Sequence, residues 1–178
     1  MNPRELLTAF DRYLTEHELR FEAIVIGGTA LNLLGVVSRP TKDCDILYPK
    51  IPEEIARASR AFAAQIRGAD VVQHDWLNNG PATLVDHLPF GWQERVQDAF
   101  DGVALHLRCL GRQDLLCAKL FALCDRGIDL DDCVALAPSP EELVAVQVWL
   151  EPQDGNPHWP AHVQNTLADV ARRLGYAI

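Results

Sequence analysis

The stretch that most constrains this chain runs from Phe21 to Tyr48, FEAIVIGGTALNLLGVVSRPTKDCDILY. Ala23-Ile24-Val25-Ile26 is a short apolar run, β-branched at three of its four positions. Such a run predicts a buried strand. Gly27-Gly28 breaks it, because two glycines let the backbone turn sharply and let a ligand approach without meeting a Cβ. Thr29 to Leu34 follows with good helix formers, and Gly35 stops it. A helix opening on a glycine turn presents free backbone N–H groups and the positive end of its dipole, which suits phosphate. The next strand carries Asp43-Cys44-Asp45 followed by Ile46-Leu47-Tyr48. Side-chain alternation puts Asp43 and Asp45 on one face. Two adjacent carboxylates repel unless a cation lies between them, and hard oxygen donors suit Mg²⁺.

The elements around this stretch follow from periodicity. Pro3 to Glu16 reads as a helix with Leu6, Leu7, Phe10, Tyr13 and Leu14 at helical spacing. Glu53 to Arg67 reads as another, with acids in its first turn, Arg67 in its last and Gly68 as its cap. Val71 to Leu77 reads as a third strand, ended by the turn Asn78-Asn79-Gly80-Pro81. Strands linked through helices argue for an α/β core. Gln93–Phe100 and Val103–Leu110 flank Asp101-Gly102, a two-residue hairpin turn; on the second of these strands Leu105, Leu107 and Cys109 alternate with His106 and Arg108, and His106 faces solvent or meets a base or ribose. Leu115 to Arg126 is a helix apolar nearly all round, and therefore buried, with Lys119 as its one charge before Asp125. Ser139-Pro140-Glu141-Glu142 is a helix start with a capping box. His158 to Leu174 is the last helix.

Composition bounds the function. At 178 residues, with 48% hydrophobic and 23% charged residues, the chain has the make-up of a globular domain. A net charge of −9 argues against non-specific binding to long nucleic acid but not against a nucleotide held through metal. The five cysteines form no Cys-x-x-Cys pair, which argues against zinc, and four lie on apolar segments, as thiols in a reducing cytoplasm do. No apolar run approaches the roughly 20 residues of a membrane span, and the N-terminus reads as an amphipathic helix rather than a signal peptide.

The order strand, Gly-Gly, helix, strand with Asp-x-Asp resembles the nucleotidyltransferase superfamily that includes DNA polymerase beta. The resemblance is closest to its small prokaryotic branch, the minimal nucleotidyltransferases and the toxin of abortive-infection type IV toxin–antitoxin systems. It implies an α/β (α+β) nucleotidyltransferase fold: a small mixed sheet flanked by helices, with a core over residues 1–137 and a helical extension over 138–178 packed on it. It implies transfer of a nucleoside monophosphate from a nucleoside triphosphate to a hydroxyl, with Mg²⁺ or Mn²⁺ on Asp43 and Asp45. Gly27, Gly28 and Thr29 are implied to hold the triphosphate, with Arg39, Lys42 and Lys119 offsetting its charge. Asp75 falls where the superfamily often has a third carboxylate, on a strand beside Asp-x-Asp.

Each of these residues has a plainer reading. Gly27-Gly28 is otherwise only a turn, and Asp43 and Asp45 a solvated strand edge. Arg39 and Lys42 bind phosphate or merely neutralise the two aspartates. Asp75 is a catalytic group or a surface aspartate. Lys119 either pairs with Asp43 and Asp45 until phosphates replace them, or pairs internally with one of the nearby carboxylates of the run Asp125 to Asp132. The acceptor is left open: a protein side chain, the end of a tRNA or a small molecule. The whole chain reads either as an enzyme or as a non-catalytic nucleotide-binding or protein-interaction module that keeps the fold.

Overall fold

The first helix is specified at its N-terminus. The Asn2 side chain accepts the N–H of Arg4, Glu5 reaches back to the Asn2 N–H, and Pro3 occupies the first turn. This helix, α1, spans Pro3–Glu16 in a computed structural model that describes residues 2–41, 43–66 and 72–176. After it come β1 (Phe21–Ile26), α2 (Gly27–Leu33), β2 (Cys44–Tyr48) and α3 (Glu53–Gln65). The next elements are β3 (Leu77–Asn78), β4 (Gln97–Asp101), β5 (Leu105–Cys109) and α4 (Arg112–Arg126). The chain ends with α5 (Leu130–Ala135), α6 (Pro140–Leu150) and α7 (Trp159–Arg173).

The fold is mixed α/β, as the sequence implies: a five-stranded mixed sheet with flanking helices and a helical C-terminal region. The strand order is β3-β2-β1-β5-β4. β1 is central, antiparallel to β2 and parallel to β5. Its apolar run Ala23–Ile26 is buried throughout. On β5, Leu105, Leu107 and Cys109 are buried while His106 and Arg108 are not, so the alternation read from sequence holds. By compactness the chain forms two units, residues 1–86 with 93–110, and residues 87–92 with 111–178.

In the first unit, α1 and α3 share an aromatic cluster with Trp76. Phe10 meets Phe62 and Trp76 with ring centroids 5.2 Å apart in both pairs, the second edge-on. Edge-on pairs are favoured because the positive ring edge meets a negative face. The Trp76 ring is fully buried, and its N–H donates to the Ser59 carbonyl at 3.3 Å. This anchor overturns the strand expected over residues 71–77. Val71 lies outside the described residues, as do Arg67 and Gly68, the expected end of α3. From His74 the backbone turns to deliver the indole inward, and only Leu77–Asn78 joins the sheet.

The hairpin between β4 and β5 also differs from expectation. Its strands end at Asp101 and restart at Leu105, so three residues make the turn. The reason lies in α1. Asp11 accepts backbone N–H groups from Val103, Ala104 and Leu105 at 3.2, 2.8 and 2.8 Å, so the wider turn has its donors satisfied. His106 is tied to Asp101 across the hairpin, Nδ1 to Oδ1 at 2.7 Å.

The second unit is helical. α4 is buried over most of its surface, as its composition implies. Arg112 makes a bidentate pair with Glu142 of α6, at 2.7 and 2.9 Å, and that Glu142 also completes the capping box with Ser139. Trp159 donates its indole N–H to the Leu150 carbonyl at 2.9 Å. α5 occupies what the sequence reads as an Asp-rich turn. Asp131 and Asp132 fall in its first turn, where acids complement the dipole. All five cysteines are buried and none is in a disulfide, and burial pushes the Cys109 and Cys124 thiols up to about 11.

Asp11 provides a test of the hairpin. Burial opposes its charge, yet the three N–H donors together hold its carboxyl below its ordinary value of 3.8. A carboxyl lowered on folding stabilises the fold fully above its unfolded value, and that contribution disappears as the pH falls through the folded value. Asp11→Ala is expected to lower the unfolding free energy by about 1–3 kcal/mol near neutral pH. It should also flatten the acid limb of the stability curve below about pH 4. Denaturant melts of both proteins from pH 2 to 7 measure this.

Candidate functional site

Asp45 sits at a crossing of three backbone elements. Sheet register places it beside Ile26 of β1 and beside Asn78 of β3. Directly after Ile26 the chain turns at Gly27, with φ +73°, and enters α2. A Cβ built on Gly27 would lie 2.7 Å from Asp45 Oδ2. Position 27 therefore demands glycine twice, for its left-handed backbone and for the carboxylate over it. The positive φ falls on Gly27 and not on Gly28. A Cβ on Gly28 would lie 3.3 Å from Thr41 Oγ1 and 3.9 Å from Arg39 Nη2. The guanidinium of Arg39 thus reaches the glycine turn, and its carbonyl is held by Asn32 at 3.2 Å.

Asp43 is exposed and stands just before β2, while Asp45 is half-buried within it. Two hydroxyls fix the Asp43 backbone: Thr29 and Thr41 donate to its carbonyl at 2.7 and 3.1 Å. Thr29 is buried and faces that carbonyl, so it steadies Asp43 rather than presenting its hydroxyl outward. Cys44 is buried between the two aspartates in sequence. Burial, and then the charges of Asp45 and Asp43, push its thiol well above the ordinary range, which makes it inert as a nucleophile. The Asp45 carboxylate over the glycine turn, with the solvent-exposed Asp43 two residues before it, offers the donor type a hard divalent cation takes. Among the described residues no group of three or more His, Cys, Asp or Glu side chains is placed to hold a metal.

The structure thus brings together Gly27, Gly28, Thr29, Arg39, Asp43 and Asp45. Lys42 lies outside the described residues. Asp75 is exposed in the turn before β3 rather than on a strand, because the buried Trp76 sets the backbone there. The residue opposite Asp45 on β3 is Asn78, whose Nδ2 donates to Asp45 Oδ1 at 3.1 Å. Neither Asn78 nor Thr41 stands out in the sequence, where one reads as a turn former and the other as part of a loop.

Lys119, in the helical unit, is buried with 6% of its surface exposed. Its Nζ is held by Asp132 at 2.7 Å and Asp129 at 3.0 Å. Internal pairing with nearby carboxylates is therefore its arrangement, in place of the pairing expected with Asp43 and Asp45.

A family model described as a nucleotidyltransferase of unknown function (DUF6036) matches residues 5–136. The chain belongs to this family. No curated protein and no solved structure matches the chain. The matched span opens inside α1 and closes just after α5, so it takes in the glycine turn, both aspartates and the Lys119–Asp132 pair. Among the described residues no helix is long and apolar enough to cross a membrane.

The Lys119 pair changes what its removal should do. With nearby solvent, Lys119→Met would cost little; with Asp132 only 1% exposed, it leaves a buried carboxylate without its cation. The expected loss of stability is about 3–5 kcal/mol. Lys119→Met combined with Asp132→Leu should recover most of it, since removing both charges leaves neither uncompensated. Chemical denaturation of the single and double variants checks this.

Proposed function

We propose that this protein transfers a nucleoside monophosphate from a nucleoside triphosphate to a hydroxyl, and that it works like the DNA polymerase beta-like superfamily it resembles in motif. The observation that carries this reading is the apposition of Gly27 and Asp45. A backbone turn without a Cβ lies directly against a carboxylate, so phosphate oxygens and their cation find donor and acceptor side by side. Asp43 and Asp45 would hold Mg²⁺ or Mn²⁺. That cation, when bound, neutralises phosphate charge and polarises the reacting oxygens. In the transfer, the acceptor oxygen bonds to the α-phosphorus, the bond from that phosphorus to the bridging oxygen breaks, and pyrophosphate leaves. The hydroxyl proton passes to solvent or to a carboxylate.

The chain's own residues orient these groups. Gly27 makes room for the Asp45 carboxylate, the backbone of Gly27 and Gly28 would face the triphosphate, and Arg39, beside Gly28, would supply a positive charge to it. Lys42, adjacent to Asp43, adds a second. Thr29 and Thr41 keep Asp43 in register through its carbonyl. The acceptor is a protein side chain, a tRNA end or a small molecule, and the net charge of −9 favours the acceptors that are not polyanions.

A second reading is that of a nucleotide-binding or toxin–antitoxin-type partner module that has kept the fold without turnover. Two observations favour it: the strand residue opposite Asp45 is an amide, and Asp75 stands in an exposed turn. Incubation with labelled nucleoside triphosphates, Mg²⁺ or Mn²⁺ and a cell lysate separates the two. Label on protein, RNA or a small molecule is expected from the wild type. It should be absent with folded Asp43→Asn and Asp45→Asn and strongly reduced with Gly27→Ala. Nucleotide binding without transfer favours the second reading, and full labelling by both aspartate variants contradicts the metal-site account.

A further inference from the structure

We propose that Asn78 is a positioning residue for Asp45: a fixed amide that holds one carboxylate oxygen and turns the other toward the glycine turn. This inference rests on the proposal that Asp43 and Asp45 hold a divalent cation. Asn78 lies opposite Asp45 in the parallel pairing of β2 with β3. Its two side-chain ends face different groups. The Gly80 backbone N–H, which can only donate, points at Asn78 Oδ1 at 2.7 Å. That contact fixes which end is oxygen, so the NH₂ end is the one facing Asp45, donating to Oδ1 at 3.1 Å. With Oδ1 so engaged, Oδ2 is the oxygen over Gly27, 2.7 Å from where a Cβ would stand.

The neighbouring residue makes the arrangement rigid. Asn79 donates to the carbonyls of Ile46 and Pro49 at 3.0 and 3.1 Å and accepts the Ile51 N–H at 2.7 Å. It therefore fastens the end of β3 to β2 and to the segment that follows β2, while Asn78 holds the Asp45 side chain. β3 is two residues long, too short to be held by its ladder alone. These side-chain bonds explain why it stays in register. A group that orients a metal-ligating carboxylate in this way typically changes metal affinity or activity by roughly 10–100-fold when removed.

The test is a titration of the chain alone with Mn²⁺, read by the loss of the free-ion electron paramagnetic resonance signal. Wild type should bind, and Asp45→Asn should not. Asn78→Ala is expected to weaken Mn²⁺ by about tenfold or more. Gly80→Ala probes the same link from outside the site, because its Cβ would lie 2.9 Å from Asn78 Oδ1 and push the amide out of line. It should weaken Mn²⁺ in the same direction by a smaller factor. In the labelling reaction, Asn78→Ala should raise the Mn²⁺ concentration needed for half-maximal rate by about the same factor, a shift that a smaller folded fraction would not give. If Asn78→Ala fails to fold, Gly80→Ala decides. Folded variants with wild-type Mn²⁺ affinity overturn the inference while leaving the metal site standing. A wild type that binds no Mn²⁺ overturns the metal site itself, and this inference with it.

Discussion

The candidate site depends on one contact, the Asp45 carboxylate over the left-handed backbone of Gly27. It works because β1 is central and β2 runs antiparallel beside it, so the residue that ends β1 is level with Asp45. The chain must leave β1 at that level without a side chain in the way. Glycine alone meets both the positive φ and the missing volume. Once the turn is fixed, α2 starts at Gly27 and its third residue, Thr29, reaches the Asp43 carbonyl. Asn78 closes the arrangement from the other side. A short segment of sequence thus places the Asp45 carboxylate, a glycine turn and a guanidinium together, with the Asp43 backbone fixed beside them and the buried β1 as their base.

The helical unit has its own electrostatic centre. Lys119 projects from α4 into the corner made by Asp129 and the α5 residue Asp132, where little water screens the pair. A buried ion pair of this kind contributes less to net stability than to fixing one arrangement, because desolvation offsets much of the attraction. The neighbouring Cys133 feels the same surroundings: burial first, then the charge of Asp129, raises its thiol to about 12. α4 and α5 are held in register by these groups, and α4 is tied to α6 through Arg112 and Glu142. Compactness accordingly groups α4 and α5 with α6 and α7, although the family match ends at residue 136.

Much of this was legible from sequence where the cause is local. The capping box of Ser139 and Glu142 starts α6 where the pattern says it must, and the run Ala23–Ile26 followed by two glycines gives β1 and its turn. The failures have long-range causes. Residues 72–76 look like a strand by composition, but the burial of Trp76 against Phe10 and Phe62 overrides local preference. Asp11 meets backbone groups more than ninety positions away, so nothing nearby marks it. Asn78 sits in a stretch whose residue types signal a turn, which hides that one amide points at Asp45. α5 carried a readable sign, two acids at a helix start before Cys133-Val134-Ala135, that the density of aspartates obscured.

The account stands on the glycine turn and Asp45 acting as one phosphate-and-cation site. The most direct measurement is a backbone amide NMR titration with a non-hydrolysable nucleoside triphosphate, with and without Mg²⁺. The account predicts that the largest shifts fall on Gly27, Gly28 and Thr29 and on Asp43 to Asp45, and that those of the aspartate segment require Mg²⁺. Shifts confined to other parts of the sheet or to the helical unit, or the same shifts without Mg²⁺, would contradict it.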